Sequence, residues 1–387
     1  MMPPEQLKPE RKHYEWRVVS PGRVNLLGEH VDYNQGIVLP AAIDRFVELH
    51  AVSRKDRVVM LDAIDMNDSV CFSLDDLMSR SDINGKPLPL WALYPAGVAW
   101  ALQNAQFIPQ GVEVEYQSNI PIGAGLSSSA AVELAFGVLW QAIGSFDMTR
   151  MQLAQLCQRA ENHYVGVNCG LMDQFACSHG VARHALYFDV RSLEWQPLPL
   201  PPETVIVIAD SGIPRQLADS HYNQRRSECE QAVKLLKTNL PAINSLRDVT
   251  QDQFEQYGKQ LPNTLYMRAR HVIDEIERVR SACYYLIQED AKGFGALMAA
   301  GHESLRALYE VSTPELDVLV EIALGLQGCL GARLTGAGFG GCTVNLVRQD
   351  CAERFVNILS DTYQKRINIQ PQVYICKPAR GAYVEQV

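Results

Sequence analysis

The chain has 387 residues, of which 47% are apolar and 20% charged, with a formal net charge of -9. This is enough material for two packed domains of a soluble α/β protein. The acidic balance and the absence of any Lys/Arg block exclude a nucleic-acid partner gripped by its backbone, but leave room for a small anionic nucleotide cradled by backbone N–H groups.

Met1 to Trp16 mixes Glu5, Lys8, Glu10, Arg11 and Lys12 with prolines and lacks the apolar core of a secretory leader. No stretch of about eighteen apolar residues escapes charge, so no membrane span is expected; the longest candidate, Ala130 to Phe146, carries Glu133 and reads as a buried helix. Ten cysteines scattered from Cys71 to Cys376 include no C-x-x-C pair. Reduced, mostly buried thiols of a cytosolic enzyme are expected, not a zinc knuckle or a disulfide framework.

Strands are predicted at Trp16 to Val19, Ile37 to Leu39 and Phe46 to Val52 from β-branched and aromatic residues beside turn signals. Between the first two lies a dense polar motif, Pro21-Gly22-Arg23-Val24-Asn25-Leu26-Leu27-Gly28-Glu29-His30-Val31-Asp32-Tyr33-Asn34-Gln35-Gly36. Such a set suits a sugar, because carboxylates accept hydroxyl hydrogen bonds in pairs and a guanidinium stabilises charge on a transferring phosphoryl group. Two readings compete with it. One is a metal site of Glu29, His30 and Asp32, which finds no partner His or Cys pair at metal spacing. The other is a solvated turn, with Glu29 and His30 a surface pair.

A fourth strand, Val112 to Tyr116, leads into Pro121-Ile122-Gly123-Ala124-Gly125-Leu126-Ser127-Ser128-Ser129-Ala130-Ala131 and then into the clearest helix. In that helix Ala130, Ala131, Leu134, Ala135, Val138, Leu139 and Ala142 recur at three- and four-residue steps. Glycines before a helix let backbone approach a phosphate, the helix end adds unpaired N–H groups, and serine hydroxyls add donors or a Mg²⁺ ligand. An ordinary helix cap explains the same residues. The segment is neither a Walker loop, lacking Gly-Lys-Ser/Thr, nor a dinucleotide fingerprint, since Ser128 takes the place of the third glycine.

A helix follows over Met151 to His163. The proline-rich stretch Gln196 to Pro202 cannot be helical and is taken as the boundary between two domains, residues 1–197 and 198–387. Beyond it come the strand Val205 to Ala209, helices around Arg225 to Lys237, Arg268 to Gln288 and Leu316 to Gly325, and the strand Thr343 to Val347. The turn Thr335-Gly336-Ala337-Gly338-Phe339-Gly340-Gly341-Cys342-Thr343 satisfies G-x-G-x-x-G literally, but a strand follows where a dinucleotide site needs a helix. It reads either as a tight connection between strands or as a loop packed against the phosphate site.

Taken together and in this order, the three segments resemble those of GHMP kinases, and the first resembles the galactokinase signature G-R-x-N-[LIV]-[LIV]-G-E-H-x-D-Y. The similarity continues through Trp91 to Val98, Ala160 to Phe175, Asp210 to Arg226, Arg268 to Val272 and Ser304 to Leu319. What it implies is an α+β, two-domain GHMP kinase fold, with an N-terminal domain like ribosomal-protein S5 domain 2, a C-terminal GHMP α/β sandwich, and the active site in the cleft between. The implied reaction is ATP-dependent phosphorylation of the C1 hydroxyl of galactose, the first committed step of its catabolism, in the cytoplasm, by a monomer or weak homo-oligomer.

By the same resemblance, Asp173 and Arg23 are the catalytic pair, while Glu29, His30, Asp32, Gly170, Asp173 and Tyr222 hold the sugar. ATP falls to Pro121, Gly123, Ala124, Gly125, Leu126, Ser127, Ser128, Ser129 and Ala130, with Trp91 beside the adenine. Ser129 and Glu161 supply the hard oxygens that Mg²⁺ prefers. Asp173 is either the base that accepts the C1 proton or a positioning group only; locally it reads equally well as a helix N-cap. Kinases for N-acetylgalactosamine or arabinose share the loops, although Asp32-Tyr33-Asn34 favours galactose. A non-catalytic sugar sensor is the other alternative, against which the serine loop is intact. Val31, Gln35, Pro95 and Gly301-His302 depart from the usual pattern without removing a chemical group.

Overall fold

A computed structural model describes residues 13–121, 123–214 and 218–387. Most of the leader reading of Met1 to Trp16 therefore lies outside the described residues, as do residue 122 of the glycine and serine loop and residues 215–217 of the Asp210 to Arg226 segment.

The first strand, β1 (Trp16–Asn25), is buried along all but its first two residues. It is sandwiched in a six-stranded sheet of order β13-β1-β3-β6-β4-β5, formed with β3 (Pro40–Ser53), β4 (Val58–Ala63), β5 (Asp68–Ser73), β6 (Val112–Ser118) and β13 (Tyr383–Gln386). Helices α1 (Leu90–Asn104), α2 (Ser128–Gly144), α3 (Arg150–Arg159) and α4 (Met172–His179) form a layer with this sheet, α2 and α4 lying directly on β1 and β3. A smaller sheet of β2 (Ile37–Val38), β7 (His184–Asp189) and β8 (Trp195–Pro199) flanks it.

The second half is built on β9 (Thr204–Asp210), central with β11 (Cys342–Arg348) in a sheet of order β10-β11-β9-β12; β10 is Cys329–Leu334 and β12 is Gln372–Cys376. Side chains alternate across a strand. Accordingly Val205, Val207 and Ala209 join a cluster with Leu319, Phe355, Leu359 and Tyr363, from α9 (Pro314–Gly325) and α10 (Ala352–Ile367). Ile206 and Ile208 face the other way, into a core that runs continuously from Val18 to Ala382 through both halves. Helices α5 (Ala218–Leu236), α6 (Gln251–Tyr257), α7 (Asn263–Ile287) and α8 (Ala291–Ser304) complete this side. Among the described residues, no helix is long and apolar enough to cross a membrane.

The strands and helices expected from periodicity are present, with shifted ends. The proline-rich stretch is partly a strand: β8 is the edge of its sheet, where Pro197 and Pro199 need not donate to a further neighbour. The expected boundary between residues 197 and 198 thus falls inside β8, and β13, from the chain's last residues, pairs with β1. The helix expected over Met151 to His163 widens after Arg159 into a π-helical turn, Ala160–Val165. The Glu133 side chain is fully buried in α2, as the sequence led one to expect.

Candidate active site

The pairing of β1 with β3 slips between Pro21 and Arg23, a bulge that re-aims the side chains after it. Gly22 makes room here: a Cβ on it would lie 2.6 Å from the carbonyl oxygen of Leu126. That closeness lets the Arg23 backbone N–H donate to the same carbonyl at 3.0 Å, tying the polar motif to the glycine and serine loop.

The Arg23 guanidinium is 5% exposed and makes three bonds. Its Nε and Nη2 donate to the two oxygens of Asp173 at 2.7 and 2.8 Å, and its Nη1 donates to the carbonyl of Gly125 at 2.8 Å. Ser127 Oγ donates to Asp173 Oδ2 at 2.6 Å. Burial opposes the charge on Arg23, but the Asp173 carboxylate outweighs it and the guanidinium pKa is raised. Asp173 lies in the first turn of α4, whose N-cap is Leu171, so the N-cap reading of Asp173 does not hold. A negative charge in a first turn is favoured by the helix dipole.

Beside this pair opens a cleft of about 330 Å³ lined by Arg23, Glu29, His30, Asp32, Gly170, Asp173 and Tyr222. All seven residues expected at the sugar and the reacting centre are therefore brought together. Glu29 accepts from the Gly336 N–H at 2.8 Å and from Thr335 Oγ1 at 3.2 Å. Burial raises its pKa, opposed by Arg333, Arg23 and the Gly336 N–H. Burial likewise lifts Asp32 to about 6, with Asp173 and Glu29 adding to the effect, and lowers His30 to about 3. Gly170 is forced by space, since a Cβ there would sit 2.0 Å from Asp32 Oδ2.

The turn after β10 packs on this end of the cleft: Gly336 and Ala337 line it and bond Glu29 and His30. Of the two readings of this turn, the tight connection is seen directly, β10 joining β11 through Thr335 N–H to Cys342 O at 3.0 Å. Asn168, Cys169 and Asn223 also line the cleft and went unmarked in the sequence. Asn168 and Cys169 adjoin the Gly170 to Phe175 run and Asn223 follows Tyr222, so adjacency was the available signal.

The loop itself does not line that cleft. Ala124, Leu126 and Ala130 put their side chains into the core, so any contact with a phosphate must come from their backbone. Positive φ at Gly123 (78°), Gly125 (76°) and Ser127 (58°) bends the chain into the start of α2, where the first N–H groups lack partners within the helix. Trp91 stands apart from the cleft, donating to Asp68 Oδ2 at 2.8 Å, with its ring 5.7 Å from that of Tyr116.

Ser129 and Glu161 are near enough that the Ser129 hydroxyl acts against the upward shift of the Glu161 pKa. Glu161, on the π-helical turn, accepts from Gln174 Nε2 at 2.6 Å and from the Cys169 thiol at 3.1 Å. The same Gln174 nitrogen donates to Glu133 at 3.0 Å, so two buried carboxylates share one amide. Burial raises the pKa of Glu161; the neighbours acting on it most, Cys169, Asp173, Ser129 and Gln174, include no cation. Among the described residues no group of three or more His, Cys, Asp or Glu side chains could hold a metal ion by itself, so a divalent ion beside Ser129 and Glu161 would have to draw its other oxygens from its ligands.

Models of three families match the chain: GHMP kinases N terminal domain over residues 94–181, the galactokinase galactose-binding signature over 10–52, and GHMP kinases C terminal over 282–365. A galactokinase of Roseiflexus sp. (strain RS-1) is 44% identical over 94% of this chain and 91% of its own. That of Haemophilus influenzae (strain ATCC 51907 / DSM 11121 / KW20 / Rd) is 37% identical over 96% and 95%. The crystal structure of Lactococcus lactis galactokinase complexed with galactose superposes with a TM-score of 0.89 at 35% identity, covering 96% of this chain and 95% of that one. A Methanococcus jannaschii mevalonate kinase, 19% identical over 96% of this chain and all of its own, shares the fold with a TM-score of 0.66.

Proposed function

The chain belongs to the galactokinases of the GHMP kinase family, and from that premise we propose that Asp173 and Arg23 carry transfer of the γ-phosphoryl group of ATP to the C1 hydroxyl of galactose. One observation carries this assignment: the Arg23 guanidinium bonds Asp173 and the Gly125 carbonyl at once, so the carboxylate, the sugar cleft and the loop leading into α2 share a single hub.

Arg23 and Ser127 hold the Asp173 carboxylate through three hydrogen bonds, which fixes the oxygens that the C1 hydroxyl is proposed to meet. In the proposed step the C1 oxygen forms a bond to the γ-phosphorus, the bond from that phosphorus to the β-bridging oxygen breaks, ADP leaves with the electron pair, and the C1 proton passes to Asp173. Little proton transfer is needed early in a loose transition state, so holding the hydroxyl in line is as valuable as its basicity. Arg23, kept charged beside the transferred group, stabilises the negative charge there.

Glu29, His30, Asp32, the Gly170 backbone and Tyr222 are the proposed sugar contacts, and the backbone of residues 123–130 the proposed phosphate cradle, with Trp91 flanking the base. Ser129 and Glu161 are the residues that would hold Mg²⁺, which when bound neutralises charge on the β- and γ-phosphates. Residues 1–197 and 198–387 are proposed as the two domains meeting at the cleft, with the end of β8 and the whole of β13 returned by the second range to the sheets of the first. No disulfide links cysteines among the described residues, which supports a cytoplasmic setting.

The deciding experiment is ATP turnover against a sugar panel, with the phosphate position of each product read by ³¹P NMR. Galactose should give a 1-phosphate at the highest kcat/KM. A preference for arabinose or N-acetylgalactosamine, or a phosphate on another carbon, would overturn the assignment.

A further inference from the structure

His30 uses both ring nitrogens, and the chemistry of its partners leaves one arrangement of protons. Nε2 lies 3.0 Å from the carbonyl oxygen of Ala337, which can only accept, so Nε2 carries the hydrogen. The ring is buried beside His271, Arg225 and Arg333 and is neutral, which leaves Nδ1 as an acceptor. The group at Nδ1, 2.9 Å away, is the Tyr33 hydroxyl, which must donate its one proton there. The Tyr33 oxygen then accepts from the Tyr309 hydroxyl at 2.6 Å, and the Tyr309 oxygen from the Cys229 thiol at 3.2 Å. Reversing the whole chain would put the proton on Nδ1 and set two acceptors against each other at Ala337.

We propose that Tyr33, Tyr309 and Cys229 form a one-way hydrogen-bond chain that works with the Ala337 carbonyl to hold the proton of His30 on Nε2, and that they are positioning residues for galactose. Tyr309 and Cys229 are 0% and 1% exposed, so water cannot supply the missing partner if a member is removed. Tyr309 ends a π-helical turn, Leu305–Tyr309, and Cys229 lies on α5, so two distant segments set the state of a residue on the polar motif. The Tyr309 ring also packs on His30, with centroids 4.8 Å apart. His30 and Ala337 both line the cleft. The Nε2–H is spent on the Ala337 carbonyl, so what a sugar hydroxyl arriving at that edge meets is that carbonyl's second lone pair, held in direction by the fixed N–H. The inference rests on the reading of His30 as a sugar contact.

The test uses the full chain labelled with ¹⁵N-histidine, with the His30 ring resonances assigned by their loss in His30→Gln. The wild type should show a neutral ring protonated on Nε2. Tyr33→Phe leaves the Ala337 carbonyl to hold the proton alone and should move the Nδ1 resonance toward that of an acceptor with no hydrogen bond, and Tyr309→Phe, which keeps the buried ring, should move it less. Each should raise KM for galactose roughly three- to tenfold, the scale of one hydrogen bond, while kcat stays within about twofold. Cys229→Ser keeps a donor and should retain the wild-type KM, whereas Cys229→Ala should not. A wild-type ring protonated on Nδ1, or resonances unmoved in both tyrosine variants, would overturn the chain. Resonances that move while KM stays fixed would overturn the positioning role by removing His30 from the sugar, independently of the chain itself.

Discussion

The two ends of the proposed active site are built from different materials. At the sugar end, side chains are held across large sequence distances: Arg23 by Asp173, Glu29 by Thr335, and His30 by the Ala337 carbonyl. At the phosphate end the side chains of Ala124, Leu126 and Ala130 are turned into the core and the shape comes from backbone angles. The difference follows from the ligands. A neutral sugar is told from its isomers by where donors and acceptors stand, so side chains must be fixed. A phosphate is recognised by charge and close approach, for which N–H groups at a helix start suffice.

The largest expected effect is where the two ends meet. Asp173→Asn should cut kcat by roughly 10²- to 10⁴-fold, the usual contribution of a general base, while galactose still binds by calorimetry. Retention of a substantial kcat would reduce Asp173 to a positioning group. Because Arg23 donates to both oxygens of Asp173, the amide also places an N–H against a guanidinium N–H, and Asp173→Glu, which keeps the carboxylate, separates lost basicity from a broken ion pair.

Two glycine substitutions then test the contrast directly, since the same methyl group is added at each end. Gly170→Ala puts it 2.0 Å from Asp32 Oδ2, so the carboxylate must move. Losing a hydrogen bond to a charged group costs about 1.5–3 kcal/mol, hence a rise in galactose KM of roughly 10- to 100-fold with ATP KM unchanged. Gly123→Ala meets nothing within 4 Å, but its φ of +78° is one that a Cβ disfavours. That strain costs about 1–2 kcal/mol, so ATP KM should rise roughly five- to thirtyfold and galactose KM should not. Steady-state kinetics with each substrate varied in turn gives both answers; a shared effect on the two KM values would abolish the division.

The same contrast explains what the sequence could reveal. The phosphate loop is local: its glycines, serines and following helix period lie within about twenty residues, and all were legible. So was the set Arg23, Glu29, His30 and Asp32, because it is contiguous. What stabilises that set was not. Arg333 is fully buried, bonds Glu275 at 3.1 Å and the Leu26 carbonyl at 3.1 Å, and stands 3.8 Å from Glu29. Nothing in the run around Arg333 announces a partner some 300 residues away. Gln174 between Glu133 and Glu161 is a second example: amide and carboxylates lie on α4, α2 and a π-helical turn that only the packing brings together. Strand β8 shows the opposite error, of over-reading: prolines forbid a helix but tolerate a sheet edge.

The smallest expected effect separates recognition from stability at the sugar end. Asp32 titrates at about 6, raised first by burial. If only its ionised form accepts the sugar hydroxyls, lowering the pH from 7 to 5.5 should raise galactose KM by about fourfold, from the ratio of protonated to ionised carboxyl at the two values. Asp32→Asn, weak throughout, should show no such slope. The sign for folding is opposite. The folded-state pKa lies above the unfolded value of 3.8, so the native state binds the proton more tightly, and this group's cost to stability is relieved as the pH falls through about 6. Affinity should therefore drop over an interval in which Asp32 itself makes the fold more stable, so the loss cannot be assigned to unfolding at this residue. Calorimetric galactose titrations with thermal melts at each pH would show the divergence; a slope that survives in Asp32→Asn would move the titration to another group.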